Sequence, residues 1–263
     1  MQPSVAVLLG TSGTGKGTRV VQLIKYLETK HKHETVFANI KGKRKQLGIK
    51  FPELGVFFVG MITQSNKSGL SSWTSMDYIH SSTGGVDGVP ELLKPLFDEG
   101  LTLVCEGEPM MQSNRWRPLW MRETYGIQNF NFNIFFYDGD REAYDARIVG
   151  RSGKGAGDSG WSRESQYTRT HEHVQEELNQ LGAQAMVCPV SGSTDLYSLP
   201  EGERHSMNAL NKYDQPLEGW GTQFLHWIGH EELVEDFIAF TKKKPMLRDV
   251  NGKNPLATTK RLW

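Results

Sequence analysis

Val5-Ala6-Val7-Leu8-Leu9, continued by Gly10-Thr11-Ser12-Gly13-Thr14-Gly15-Lys16-Gly17-Thr18, joins an uninterrupted apolar run to a glycine-rich loop with the spacing G-x-x-x-x-G-K. An apolar run without alternation suits a strand buried on both faces of a parallel sheet. Thr18 to Thr29 then shows helical periodicity, with Val20, Val21, Leu23, Ile24 and Leu27 on one face. Strand, loop and helix in this order make an anion-binding device. Gly10, Gly13, Gly15 and Gly17 let the backbone approach phosphate oxygens, and Ser12, Thr14 and Thr18 add short polar side chains. The helix N-terminus contributes partial positive charge and Lys16 a mobile cation. The whole stretch from Gly10 to Thr18 is therefore read as a nucleotide phosphate site.

In the usual form of this loop a hydroxyl residue follows the lysine directly, whereas here Gly17 stands between Lys16 and Thr18. Gly15-Lys16-Gly17-Thr18 resembles nucleoside monophosphate kinases of the adenylate kinase type. That resemblance implies ATP on the loop, with Thr18 near Mg²⁺.

Thirty basic and thirty acidic residues cancel over the 263 positions. No global positive field therefore marks the chain as a nucleic-acid binder, although local patches stay open. The length fits one large α/β domain with insertions, and a single domain over 1–263 is expected. Cys105 and Cys188 lie far apart in apolar runs without C-x-x-C spacing, which suggests reduced core thiols and a cytoplasmic protein. No apolar stretch approaches the length of a membrane span, and the start of the chain enters a core strand with no signal-sequence pattern. No membrane partner is expected.

Further along, Thr35 to Ala38 predicts a second strand, and Lys41-Gly42-Lys43-Arg44-Lys45 with Lys50 reads as a basic loop, either solvated or touching a phosphate backbone. Val56 to Met61 predicts another strand. The polar segment from about 63 to 89 is too long for a plain connection and carries Trp73, Asp77 and Tyr78, so it is expected to build the substrate side of the site. Part of it, Ser75 to His80, has helical character, and Pro90 to Glu99 reads as a helix closed by Gly100.

Leu101 to Cys105 is the clearest central strand after the first, and it delivers Glu106-Gly107-Glu108 at its carboxyl end. Ligands of open α/β sheets bind at that edge. A carboxylate there can hold Mg²⁺ through water or accept a proton from an attacking hydroxyl. Nucleoside and nucleotide kinases carry such a carboxylate, and this chain resembles them, with Glu in place of the more usual Asp. Glu106 is preferred for the role over Glu108, whose position strand alternation leaves less firmly set; a solvated turn is the competing reading. Arg115 and Trp116, in Asn114-Arg115-Trp116-Arg117, could grip phosphate and stack on a base, or could belong to a core helix.

Phe130 to Tyr137 predicts a further strand and Gln184 to Val190 the last. Between them Arg141, Arg147 and Arg151 lead into the glycine- and serine-rich run Ser152 to Gly160, with Arg163 beyond. This region, about 141–163, looks like the lid of a P-loop kinase. The resemblance implies that Arg147 and Arg151 close over the triphosphate and neutralise charge on the transferred group. Surface salt bridges are the alternative for any one of these arginines.

The expected architecture is a P-loop NTPase three-layer α/β sandwich, a mostly parallel central sheet with helices on both faces and a kinase-type lid. Its expected chemistry is phosphoryl transfer from ATP with Mg²⁺, using Lys16, Glu106, Arg147 and Arg151. A long aromatic segment, basic runs and seven tryptophans suit a nucleic-acid component as acceptor, with Trp73, Asp77, Glu108, Arg115 and Trp116 on its side. Gly10 to Thr18, Glu106-Gly107-Glu108 and the Arg141 to Gly160 segment together look like bacteriophage P-loop kinases that phosphorylate the hydroxymethyl group of 5-hydroxymethyluracil in DNA. A free nucleoside or nucleoside monophosphate kinase and a nucleic acid-binding ATPase are the other readings.

Overall fold

Strand β1 (Ser4–Gly10) is buried along its whole length, because hydrogen-bonded strands flank it on both sides and helices cover both of its faces. Val5, Val7 and Leu9 point into one apolar layer, Ala6 and Leu8 into the other. That double burial explains why the run shows no polar alternation. The computed structural model describes residues 2–10, 14–64, 71–83, 88–107, 116–138, 172–191 and 218–243. Ser12, Gly13, Glu108, Arg115, Arg147 and Arg151 lie outside the described residues, as does the region 141–163 expected to form a lid.

The described sheet has seven strands in the order β2-β3-β4-β7-β1-β8-β9. They are β2 (Glu34–Ile40), β3 (Lys43–Phe51), β4 (Val56–Val59), β7 (Thr102–Glu106), β8 (Asn129–Asp138) and β9 (Met186–Ser191) beside β1. From β4 to β9 all neighbours are parallel, whereas β3 runs antiparallel to both β2 and β4. The sheet is thus mostly parallel, as expected.

The basic run is not a loop. Lys41 and Gly42, at φ 52° and 72°, make a two-residue hairpin turn, and Lys43, Arg44, Lys45 and Lys50 all belong to β3. Positive φ at both central residues matches the twist of a tight hairpin. Clustered cations hid the strand from a reading by composition, because apolar residues occupy only its inner half, from Leu47 to Phe51.

Helix α1 (Lys16–Leu27), α6 (Glu218–Trp227) and α7 (Val234–Lys243) pack on one face of the sheet through Val20, Leu23, Ile24, Phe224 and Phe237. Each fully buried aliphatic on α1 contributes about 1.5–3 kcal/mol. Tyr26 fastens this layer: its hydroxyl donates to the Leu233 carbonyl at 2.9 Å, and burial pushes the phenol up to about 12. The opposite layer holds α2 (Met76–Thr83), α3 (Gly88–Asp98), α4 (Pro118–Tyr125) and α5 (172–180), with Ile79, Leu93, Phe97, Met121 and Leu178 inward. Cys105 lies in this second layer, fully buried, with its thiol pushed upward by desolvation.

Within the polar segment, β5 (Met61–Gln64) and β6 (Ser71–Thr74) form a separate antiparallel pair before α2. Here the structure corrects the role of two tryptophans. Trp73 is 3% exposed, its Nε1 donates to the Val59 carbonyl at 3.1 Å, and its ring meets Phe58 edge-on. Trp116 is 1% exposed, donates from Nε1 to His80 Nε2 at 3.2 Å and packs on Trp120. Both rings are covered by core atoms, so neither offers a face to a base. A buried indole needs a partner for its N–H, and both partners come from distant parts of the chain.

The Trp116–His80 bond also sets a pH dependence. His80 accepts in its neutral form, and burial holds its pKa below the ordinary 6.5. Its contribution to stability is therefore fully present above 6.5 and is lost as pH falls through that value toward the lowered one. Thermal unfolding should shift down as pH drops from about 7.5 to about 5.5, and His80→Gln, which can still accept from the indole, should flatten that dependence. Equal pH slopes in the two proteins would refute the assignment.

Candidate active site

Sheet register brings the acid of one motif to the lysine of the other. β7 lies beside β1 in parallel, with Leu8 level with Glu106, and the Gly107 N–H donates to the Leu8 carbonyl at 3.4 Å. β1 ends at Gly10 and α1 begins at Lys16, so the start of α1 follows β1 at the edge where β7 delivers Glu106. Lys16 Nζ stands 3.6 Å from Glu106 Oε1, with the two side chains only 5% and 10% exposed. It also donates to Thr14 Oγ1 at 3.4 Å. Water is largely excluded from this pair, which strengthens its field.

Two further contacts fix the geometry. The Glu106 N–H donates to Ser75 Oγ at 3.2 Å, tying the end of β7 to the residue that precedes α2. Asp77, in the first turn of α2, places Oδ2 3.2 Å from where a Cβ on Gly107 would stand. Gly107 has φ 143°, so a side chain there would be strained as well as crowded. The structure thus gathers Thr14, Lys16, Glu106 and Asp77 at the carboxyl edge, with Thr18 half-buried in the first turn of α1.

Arg19, outside the motif, is packed against the same group. Its guanidinium is buried, donates from Nη1 to the Thr14 carbonyl at 3.0 Å and lies 4.8 Å from the Phe135 ring centre. It ties Thr14 to β8. Its position three residues after Lys16, on the same side of the helix, was the available signal.

Among the described residues no group of three or more His, Cys, Asp or Glu could hold a metal by itself. That is compatible with Mg²⁺, which commonly keeps several waters and takes one or two protein oxygens plus substrate phosphates. Thr18 and Glu106 supply oxygens of that kind, and Asp77 adds a carboxylate close by.

The family model of 5-hmdU DNA kinase 2 matches residues 2–261. The chain belongs to the 5-hmdU DNA kinase 2 family. A relative named 5-hmdU DNA kinase 2, from Salmonella phage ViI, is 43% identical over 265 residues, covering 96% of this chain and 87% of its own. No solved structure matches the chain. The matched range includes residues 10–18, Glu106 and the region 141–163.

Proposed function

We propose that this protein transfers the γ-phosphoryl group of ATP to the 5-hydroxymethyl oxygen of 5-hmdU in phage DNA, a step toward thymine hypermodification. The observation that carries this reading is the buried Lys16–Glu106 pair at the carboxyl edge of a mostly parallel sheet, in a chain of the 5-hmdU DNA kinase 2 family. The P-loop NTPase fold with a kinase lid at 141–163, all in one domain, is the architecture this reading requires.

The loop from Gly10 to Thr18 would hold the triphosphate, with backbone N–H groups and the N-terminus of α1 on its oxygens. Lys16 would leave Glu106 for the β- and γ-phosphates, because a multiply charged phosphate chain attracts the ammonium more strongly than one carboxylate does. Glu106 is then available to accept the proton of the acceptor hydroxyl. The hydroxymethyl oxygen forms its bond to the γ-phosphorus as the bridging bond to the β-phosphate breaks, and ADP departs with that electron pair. Arg147 and Arg151 would offset the charge that spreads over the equatorial oxygens. Mg²⁺, held by Thr18 and through water by Glu106, would neutralise the phosphates. Asp77, beside Gly107, would contact the acceptor nucleotide. Glu108 and Arg115 are assigned to the same side from the sequence.

Transfer of labelled γ-phosphate should be measured with 5-hmdU DNA, unmodified DNA and free nucleotides as acceptors. Label is expected on 5-hmdU DNA alone. Label on free nucleotides alone would indicate a nucleotide kinase, and DNA-stimulated phosphate release without label on any acceptor would indicate an ATPase. In the same assay Glu106→Gln should lower turnover by about 10²–10⁴-fold while leaving ATP affinity within a few fold. Normal turnover in that variant would sink the proton-acceptor role.

A further inference from the structure

We infer that the β2–β3 hairpin is a DNA-docking arm, which grips the strand flanking the target nucleotide through Lys41, Lys43 and Arg44 and offers Phe37 as an apolar contact. This rests on the reading of DNA as the acceptor and adds where the polymer is held.

The register places the arm. Only Gly48 to Phe51 of β3 pairs with β4, and Gly48 lies opposite Val59, the last residue of β4. The remaining five residues of β3, Lys43 to Leu47, therefore run past the carboxyl end of β4, paired only with β2 among the described ladders. A bulge opposite Val36 and Phe37 takes up one of these residues, so at ~3.3 Å per level the overhang is about 13 Å. Phe58 is level with Val104, so Glu106 stands one residue beyond the level of Val59. The turn at Lys41-Gly42 thus reaches roughly 10 Å further than Glu106 along the strand direction. The arm projects from the edge that carries the catalytic pair, not from the opposite one.

Its charge is uncompensated where it projects. From Thr35 to Pro52 the chain has five cations and no Asp or Glu, although the whole chain is neutral. Lys50, at the base, is paired with Glu99 at 2.6 Å. Lys41, Lys43 and Arg44 are exposed, and no described carboxylate lies within ion-pair distance of them. Such a concentration of charge next to a phosphoryl-transfer edge fits a polyanion that extends beyond the active site.

The arm also presents a mixed apolar and cationic face. Phe37 is 43% exposed, the one large hydrophobic exposed among the described residues, and the Arg44 guanidinium lies 4.4 Å from its ring centre. An aromatic ring beside an arginine is a surface on which a base or sugar of a strand can rest. On the other face Lys45 Nζ donates to Ser82 Oγ at 3.0 Å and sits 5.7 Å from the Tyr78 ring centre. Those contacts anchor the arm to α2, the helix that carries Asp77 at the site.

The test is direct binding of a fluorescent oligonucleotide at several salt concentrations, by wild type and by Lys41→Ala/Lys43→Ala/Arg44→Ala. The slope of log affinity against log salt should fall by about 2–3 in the triple variant, since each lost phosphate contact removes about 0.7–0.9. KM for 5-hmdU DNA should rise at least tenfold with kcat and the KM for ATP unchanged, and Lys43→Glu alone should act in the same direction. Phe37→Ala should weaken binding without changing the salt slope. Equal affinity and slope in wild type and triple variant would overturn the arm. So would a triple variant that self-associates but binds DNA normally, because the cations would then serve only to guard an edge strand. If wild type binds DNA through the arm but labels no DNA acceptor, the arm stands and the proposed acceptor falls.

Discussion

Lys16→Ala should lose phosphoryl transfer by about 10²–10³-fold or more, the cost of removing one preorganised charge from a developing anion, and should also unfold at lower temperature than wild type. The second effect follows from where the lysine sits. Its ammonium is 3.6 Å from Glu106 in a pocket where both side chains are nearly inaccessible. Deleting it leaves a buried carboxylate without the adjacent cation, which costs on the order of a few kcal/mol. Lys16→Ala/Glu106→Gln removes both charges and should recover much of the lost stability with no recovery of turnover. Thermal unfolding and labelled transfer on the single and double variants separate the two effects. A Lys16→Ala enzyme with wild-type turnover would remove the phosphate loop from the mechanism, and a double variant no more stable than the single would show that the pair carries little structural energy.

Gly10→Ala should be the most disruptive single-carbon change at the site. Gly10 has φ 139°, and a Cβ there would fall 2.2 Å from the carbonyl oxygen of Phe135. That oxygen belongs to β8, which is paired with β1 at this very residue. Neither backbone can retreat without opening the β1–β8 ladder and displacing the first residue of the phosphate loop. Steric overlap and the unfavourable φ together should cost about 2–6 kcal/mol. Gly126→Ala is the control, because Gly126 has φ 68° and nothing within 4 Å of its Cβ position. It should cost only about 1 kcal/mol. Denaturant unfolding compares the two; equal losses would mean that backbone conformation alone, without the contact to Phe135, sets the requirement at Gly10.

Particular elements show how far a linear reading reaches. β1 and α1 are legible because each has one strong period and the glycines mark the join between them. The helix expected over Pro90 to Glu99 is observed as Gly88–Asp98, and the strand expected over Leu101 to Cys105 as Thr102–Glu106. β3 was hidden by its cations. It is a strand because β2 pairs with it along its length and β4 with its inner half, and pairing is a property the segment does not carry by itself. Trp73 and Trp116 have the composition of a stacking shelf, yet the Val59 carbonyl and His80 draw their indoles into the core. Arg19 lies in α1 beyond the motif; its spacing from Lys16 hints at a shared side of the helix, but its contacts with Thr14 and Phe135 appear only in the tertiary structure.

By itself, the sequence determined β1, α1 and the glycine-rich spacing between them. The reading of Gly10 to Thr18 as a phosphate site rests on that local spacing, because glycines, helix start and lysine lie within one contiguous stretch and need no distant partner. Glu106 and Asp77 were also legible as candidates, but tertiary structure alone decided what each of them stands against. The parallel pairing of β1 with β7 set Glu106 against Lys16 across ninety residues of chain, and the start of α2 put Asp77 beside Gly107. Strand register also turned a basic run into a hairpin that extends past the carboxyl end of β4. Register is set by hydrogen bonds between strands far apart in sequence, so it leaves no mark in the order of residues along any one of them.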